Sequence, residues 1–500
     1  MATNGGRLPS RTVRRDSDDT ELFQSGQPLR DIVVLLDAFL LDDSSPQPLQ
    51  SGAEVDPRML FSRLIDDPLV RLYRYADDGP PATVEATHEA LDVTVYPGWA
   101  VLSDRDRDDQ IWQVAFPTET GFSVAAVAGN AADVAAADAS SRAYRELGDE
   151  VARARRRADT LAAMVAEQAV KADLFITDRG YLHERRRAFA RGVTICRPED
   201  ALPLLSLYLR RQDRFLVDRN FRLNRGLFYW VATRELLPEA WRWFTACAQH
   251  ATGSGDDALM LLGGSLLLRV DRALEARDAI HVALNQTQDN DLKDDELANL
   301  DVVLMLLMAA VDVTARVAHR TLGMPLGDEF RAAWQNRRPG GWFESIQQTE
   351  PALADATGNG TGGLDTLTIL RLLRNSVHGA ALQGIAFSPH RGSYESLVAL
   401  PRNDQADVLA AMERLGGRAA WGVRSIVPGR TYVDPGLLVD RLLVNVVELL
   451  NTLMAATPVE RLPHVALSPT DMSPPDLTGL NQIDPFAPWI RQSIRLQLAL

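Results

Sequence analysis

The sequence predicts an α/β fold, a parallel sheet flanked by helices, followed by an all-α helical bundle. Three observations carry this. Between residues 31 and 220, short apolar runs ending on aspartate alternate with helical stretches, the pattern of a parallel sheet covered on both faces. From about Phe221 long helical periodicities replace the strand signals. Over 500 residues, 46% hydrophobic and 24% charged side chains leave room for several cores.

In chain order, residues 1–30 are rich in Gly, Ser, Asp and Arg without apolar periodicity, as expected of a disordered arm. An α/β domain is expected over residues 31–220. Asp31-Ile-Val-Val-Leu-Leu-Asp37 reads as a buried parallel strand that delivers a carboxylate at its C-terminal edge. Pro, Gly, Ser and Asp mark loops from Ser44 to Pro57 and from Asp77 to Thr83. Alternation from Val93 to Val127 predicts short strands. An Ala-rich stretch from Ala131 to Val170 predicts helix, broken near Gly148 or just before Asp159. A strand over Ala172–Asp178, another over Gly192–Cys196 and a helix from Pro198 follow.

The helical domain is expected over residues 221–457, with helices at Gly226–His250, Asp256–Val282, Asp294–Leu322, Asp365–Leu382 and Pro435–Ala455. Two short strand-like runs lie around Ile385 and over Ser396–Leu400. Residues 458–500 read as a Pro-rich tail, extended and packed locally.

A net charge of −14, from 53 basic and 67 acidic residues, excludes a clamp that holds nucleic acid by bulk charge. Of the basic residues only Lys171 and Lys293 are lysines; GC-rich coding explains this as readily as a need for forked contacts with carboxylate or phosphate. Cys196 and Cys247 are too few for a disulfide framework or a zinc cluster, which fits a reducing cytosol. The longest apolar run, Val302–Val311, is far short of a bilayer span and is flanked by Asp301 and Asp312, so no membrane segment is expected. Between Arg179 and Arg225 twelve arginines face five acids, either a phosphate-tracking strip or solvated helix faces. Phe221, Phe228, Tyr229, Trp230, Trp241, Trp243 and Phe244 either stack bases or pack a seam between domains.

Ligands of parallel α/β sheets collect at the C-terminal strand edges, where Asp37 and Asp178 fall. Asp159 lies on or begins the helix leading into the second of those strands. If the three converge they form a hard oxygen site for Mg²⁺ or Mn²⁺; otherwise they are a strand end, a helix cap and a turn aspartate. Residues Ile32–Leu41, Ala172-Asp-Leu-Phe-Ile-Thr-Asp-Arg-Gly-Tyr-Leu182 and Gly192-Val-Thr-Ile-Cys-Arg-Pro-Glu-Asp-Ala-Leu202 resemble a PIN-type nuclease domain. That resemblance implies a metal-dependent ribonuclease site at Asp37, Asp159 and Asp178. The family's acid on a middle helix has no clear match, with Glu85 and Glu89 as candidates. The stretch Val93–Asn130 also departs from a minimal PIN domain, which leaves an incomplete catalytic set and a degenerate, binding-only PIN fold open.

Leu370-Arg371-Leu-Leu-Arg374-Asn375-Ser-Val-His378-Gly379 is the second polar string. On a helix Arg371, Arg374, Asn375 and His378 share one face. Arginine can hold a scissile phosphate, and histidine can move protons near neutral pH while a neighbouring 2′-hydroxyl attacks. The same residues also suit a helix C-terminus ending at Gly379. The string is similar to the R-x4-6-H signature of HEPN domains, which implies an all-helical, commonly dimeric, metal-independent ribonuclease. Arg371 and His378 fit that spacing, whereas Arg374 and Asn375 match its Arg-Asn start. Together the resemblances imply a cytoplasmic endoribonuclease, a toxin or anti-phage defence effector with RNA as substrate, a homodimeric state and an inhibitor or regulatory protein. The alternative is a non-enzymatic sensor or scaffold.

Overall fold

The computed structural model describes residues 31–38, 55–90, 93–103, 111–184, 193–218, 221–285, 290–379, 381–390, 393–473, 484 and 486–500. The arm expected over residues 1–30 lies outside the described residues.

The α/β half runs β1 (Ile32–Asp37), α1 (Pro57–Leu64), β2 (Val70–Tyr75), β3 (His88–Ala90), β4 (Val93–Val95), β5 (Val101–Ser103), β6 (Ile111–Thr118), β7 (Gly121–Ala128), α2 (Gly129–Ala136), α3 (Asp149–Met164), β8 (Leu174–Ile176), α4 (Gly180–Glu184), β9 (Thr194–Cys196), α5 (Pro198–Arg211), β10 (Phe215–Asp218) and β11 (Phe221–Leu223). Four strands form a parallel sheet in the order β2-β1-β8-β9. Strand β1 is at its centre because it is apolar on both faces. Ile32, Val34 and Leu36 pack on Leu60, Phe61 and Leu64 of α1 and on Leu202, Leu205 and Leu209 of α5. Leu35 faces the other way, onto Leu161–Met164 of α3 and Val114, Phe116 and Val127 of a second, antiparallel sheet, β5-β6-β7. Fully burying each such aliphatic side chain contributes about 1.5–3 kcal/mol.

Strand β2 and helix α1 were not expected. In β2 the arginines Arg71 and Arg74 interrupt the apolar pattern; in α1 the signal is local, with Asp56 accepting from the backbone N–H of Arg58 and Pro57 opening the helix. The expected Ala-rich helix is two helices, α2 and α3. Asp149 and Glu150 occupy the first turn of α3 after Gly148, where carboxylates offset the helix dipole. After α3 one wide π turn, Val165–Ala169, leads back to the sheet.

The helical half contains α6 (Arg225–Leu236), α7 (Glu239–Ser254), α8 (Ala258–Leu284), α9 (Asn290–Thr321), α10 (Trp342–Thr349), α11 (Pro351–Asp355), α12 (Gly362–His378), β12 (Gln383–His390), β13 (Ser393–Ala399), α13 (Gln405–Arg414), β14 (Val423–Val427), β15 (Arg430–Val433), α14 (Pro435–Ala456) and α15 (Pro488–Leu498). The single helix expected at Gly226–His250 divides at Leu237–Pro238, because proline cannot continue the hydrogen-bond ladder. This half is not purely helical, since β12-β13-β15-β14 make an antiparallel sheet. Helices α8 and α9 pair along their length at its centre. Leu292–Thr321 and Pro435–Arg461 are long and apolar enough to cross a membrane by length and composition alone, and half of each apolar window is buried inside the fold.

The expected extended tail ends instead in helix α15, which packs on α5, α6, α1 and β10 and so touches both halves. Ile490, Ile494 and Leu498 sit in the core of the helical half, while Trp489 and Leu496 reach the core of the α/β half. The aromatic cluster is a packed seam. Phe228, Tyr229 and Trp243 are buried, Phe221 rests on Trp489, and Trp230 and Trp241 rest on Phe486. Arg234 lies among the rings of Trp230, Trp241 and Phe244, 4.8–5.3 Å from their centroids.

A buried polar chain fastens the seam. Arg210 Nε of α5 donates to Asp278 Oδ2 of α8 at 2.7 Å, and the Tyr229 hydroxyl donates to the same oxygen at 2.7 Å. Arg210 also donates to the carbonyl of Gln497, whose side-chain amide donates to the carbonyl of Leu216. Arg277 stands 3.6 Å from Asp278 and continues the chain to Asp440 at 2.5 Å, which His281 meets at 2.9 Å. Burial alone would push the Asp278 carboxyl up, but Arg210 and Arg277 hold it below its ordinary value.

Removing one partner of a buried ion pair leaves the other uncompensated, at about 3–5 kcal/mol. Arg210→Met is therefore expected to lower the urea midpoint by that amount, and Arg210→Met/Asp278→Asn by clearly less. Equal losses in the single and double variants would show that Asp278 does not depend on Arg210.

Candidate functional site

Strand parity decides which acids meet. Side chains alternate along a strand, so Asp37, two residues after Leu35, points toward α3. The register pairs Leu35 with Tyr73 and Asp37 with Tyr75, which places Tyr75 on the same face, and the chain then turns to Asp77. On β8, Phe175 lies opposite Leu35 and faces α3, whereas Ile176 faces α5. The next residue on the α3 side is Thr177, not Asp178. Asp159 comes from α3, in the buried stripe with Ala152, Arg156 and Ala163.

Asp37 is fully buried, Asp159 is 3% exposed, and the two are joined through Arg179. The Arg179 guanidinium uses all five of its N–H donors on three carboxylates. Nε and Nη2 donate to Asp37 at 3.0 Å, Nη1 and Nη2 to Asp77 at 3.2 and 3.1 Å, and Nη1 to Asp159 at 3.1 Å. The remaining oxygens are also engaged: the Thr177 hydroxyl donates to Asp37 Oδ2 and the Tyr144 hydroxyl to Asp159 Oδ2. The Thr177 hydroxyl in turn accepts from the Arg179 backbone N–H, and the Tyr75 ring lies 5.7 Å from the guanidinium carbon.

Burial pushes the Asp37 and Asp159 carboxyls up; Arg179 opposes this without cancelling it, as do Thr177 at Asp37 and Tyr144 at Asp159. The carboxylates around it hold Arg179 firmly protonated against its own burial. Burial and the neighbouring carboxylates also push the Tyr75 and Tyr144 hydroxyls up, so both stay protonated as donors.

Of the three aspartates expected to converge, Asp37 and Asp159 do so. Asp178 does not: its side chain is exposed and makes no hydrogen bond or ion pair among the described residues. Asp77 takes the third place. Glu85 is exposed in the loop before β3, and the Glu89 side chain lies outside the described residues. A divalent ion bonds oxygen at about 2.0–2.6 Å and needs the carboxylates around one shared point. Here the guanidinium holds that point, and no group of three or more His, Cys, Asp or Glu among the described residues is arranged to hold a metal ion. In this arrangement the residues do not fit a divalent ion.

The second site lies on α12, capped at its start by the Thr361 side chain and ending at His378. Ile369, Leu370, Leu372, Leu373 and Ser376 are buried, while Asn375 and His378 are exposed and Arg371 and Arg374 half-buried. The four polar residues thus share the outward face, as their spacing predicts. None makes a hydrogen bond or ion pair within 4.0 Å among the described residues. Beside them stands Asp312 of α9, whose field includes Arg374, Arg316 one turn along the same helix, and Arg269 of α8. Burial pushes the Asp312 carboxyl up, and a long 3.5 Å bond from Gln335 and the three arginines pull the other way. Arg269 reaches back to the carbonyl of Ala309 at 3.4 Å. Three arginines from three helices therefore contribute to the field at this carboxyl, none of them within ion-pair distance of it among the described residues.

Of the seven described arginines in the stretch after Asp178, four are committed elsewhere: Arg179 and Arg210 in ion pairs with little exposed side chain, Arg197 facing Glu199 at the surface, and Arg225 paired with Glu275. Arg185, Arg186, Arg187, Arg191 and Arg219 lie outside the described residues. Sequence reading missed Tyr75, Asp77, Thr177, Tyr144, Arg179, Arg269, Asp312 and Arg316 as members of either cluster. The period of two along β8 was the available signal for Thr177. Comparison with protein-family models, curated proteins and solved structures gives no match.

Asp37 and Asp159 have folded-state pKa values above their unfolded ones, so the native state binds more protons and their contribution to stability falls as pH rises. Arg179→Gln removes the compensating charge and is expected to cost about 3–5 kcal/mol at neutral pH. The gap from wild type should narrow from pH 7 to pH 5 as the two carboxyls take up protons. Urea titrations at both pH values check this, and a gap that is constant or wider at pH 5 would contradict it.

Proposed function

We propose that the protein is a cytoplasmic endoribonuclease that cleaves single-stranded RNA without a metal ion at the outward face of α12, as a regulated toxin or anti-phage defence effector. The observation that carries the reading is the positive field that Arg269, Arg316 and Arg374, from three helices, exert at the Asp312 carboxyl, beside the side chains of Arg371, Asn375 and His378, which make no hydrogen bond or ion pair among the described residues. Charge of this kind, left without matching carboxylates, suits an anion of the size of a phosphodiester.

Arg374, with Arg371 beside it, would hold the scissile phosphate and balance the charge that grows on its oxygens. His378 would take the proton of the adjacent 2′-hydroxyl. As the 2′-oxygen bonds to phosphorus, the P–O5′ bond breaks, the 5′-oxygen takes up a proton through solvent, and the histidine returns its own. Asn375, one turn before His378, would orient the phosphate. The reading includes a homodimer that brings two such faces together and a protein that restrains them. The two cysteines are buried and free, in keeping with a reducing compartment.

A second reading, a sensor that binds RNA or a nucleotide without turnover, is favoured by one observation. No side chain among the described residues hydrogen-bonds His378 to fix its ring.

Single-stranded RNA incubated with the protein in EDTA is expected to be cleaved, with Asp178→Asn as active as wild type and His378→Ala slower by about 10²-fold or more. Binding without cleavage would support the sensor, and cleavage that EDTA abolishes would sink the metal-free mechanism. Arg269→Gln and Arg316→Gln should each reduce the slope of log affinity against log salt by about 0.7 per lost phosphate contact. Unchanged slopes would remove both arginines from the RNA path.

A further inference from the structure

The sequence offers Asp37, Asp159 and Asp178 as a divalent-metal site if they converge; in the structure Asp37 and Asp159 converge with Asp77 on a guanidinium. We infer that Arg179 is the resident cation of this pocket and that it and a divalent ion exclude one another. The inference stands independently of cleavage at α12.

Four observations lead there. First, the oxygens that would have to surround an ion, both of Asp37, both of Asp77 and Oδ1 of Asp159, each lie 3.0–3.3 Å from a nitrogen of Arg179. The guanidinium fills the space between them, and an ion at bonding distance from all three carboxylates would overlap it. Second, the fit is specific to arginine. Five donors in one plane meet three acids from β1, the loop after β2 and α3, whereas a lysine ammonium has three donors and no plane.

Third, the charges do not balance. Three carboxylates against one guanidinium leave two negative charges when all are ionised. Arg179 therefore neutralises the pocket only in part, and removing it leaves a set of hard oxygens with no cation. Fourth, the pocket has an open side. The Asp77 side chain is 36% exposed while those of Arg179 and Asp37 are 9% and 0% exposed, so an ion would enter past Asp77, and only after the guanidinium had moved. The Thr177 and Tyr144 hydroxyls hold Asp37 and Asp159 in place from behind. The acids would then stay convergent in a variant whose Arg179 is shortened.

Equilibrium titration of the full-length protein with Mn²⁺, followed by the loss of the free-ion paramagnetic resonance signal, tests this without reference to activity. Wild type is expected to take up no Mn²⁺ below millimolar concentration. Arg179→Gln is expected to bind one Mn²⁺ at least tenfold more tightly than wild type, and Arg179→Gln/Asp37→Asn to lose that ion. Arg179→Lys, which keeps a positive charge and places less demand on folding, is expected to fall between Arg179→Gln and wild type. Circular dichroism confirms that each variant titrated is folded. Stoichiometric Mn²⁺ binding by wild type that Asp37→Asn abolishes would overturn the inference. So would a folded Arg179→Gln or Arg179→Lys that binds no more tightly than wild type.

Discussion

The α/β half is organised around one guanidinium among three carboxylates. Asp37 ends the central strand, Asp159 lies on the buried stripe of α3 and Asp77 follows the neighbouring strand, so three segments far apart in sequence meet at Arg179. Desolvated carboxylates this close together repel one another, and without a cation the pocket is relieved only by taking up protons. Arg179 thus adds an ion pair between α3 and the sheet to the apolar packing that Leu161–Met164 make there. It also occupies the point at which a divalent ion shared by these three acids would sit.

In the helical half the charge balance has the opposite sign. Arg269, Arg316 and Arg374 act on Asp312 through their field, and neither they nor the outward residues of α12 make an ion pair within 4.0 Å among the described residues. In the α/β half every donor of the central arginine is spent; in the helical half Arg316 is exposed and Arg269 and Arg374 are half-buried, with donors to spare. Positive charge is left over at the second cluster and negative charge at the first. The two halves are not separate bodies, however. Helix α15 and the chain Arg210–Asp278–Arg277–Asp440 tie α5 to α8 and α14, so a change in one half bears on the other through buried charge.

Much of this architecture was legible in the sequence wherever a segment's burial is uniform. Strand β1, apolar on both faces, and helices α8, α9 and α14 declared themselves through unbroken apolar patterns. Strand β2 did not, because its arginines Arg71 and Arg74 serve the edge of the sheet, and α15 did not, because its apolar face is split between two cores. Asp37 and Asp159 were legible from strand ends and helix spacing. Asp178 misled because its neighbours read as a strand ending on an acid, whereas a period of two gives the inner position to Thr177. Arg179 was hidden for a different reason: nothing local distinguishes an arginine that reaches three acids 20, 102 and 142 positions away from one that is solvated. The face of Arg371, Arg374, Asn375 and His378 was legible because helical spacing alone defines it. Its companions Arg269 and Arg316 were not, since only the packing of α8, α9 and α12 brings them near.

The chemistry of the cut ends tests the account most directly. Attack by the neighbouring 2′-hydroxyl, with arginine on the phosphate and histidine moving the proton, leaves a 2′,3′-cyclic phosphate on one fragment and a 5′-hydroxyl on the other. Mass spectrometry of the fragments from a short synthetic RNA in EDTA should find those ends. Fragments with a 5′-phosphate and a 3′-hydroxyl, formed by attack of water, would contradict the account.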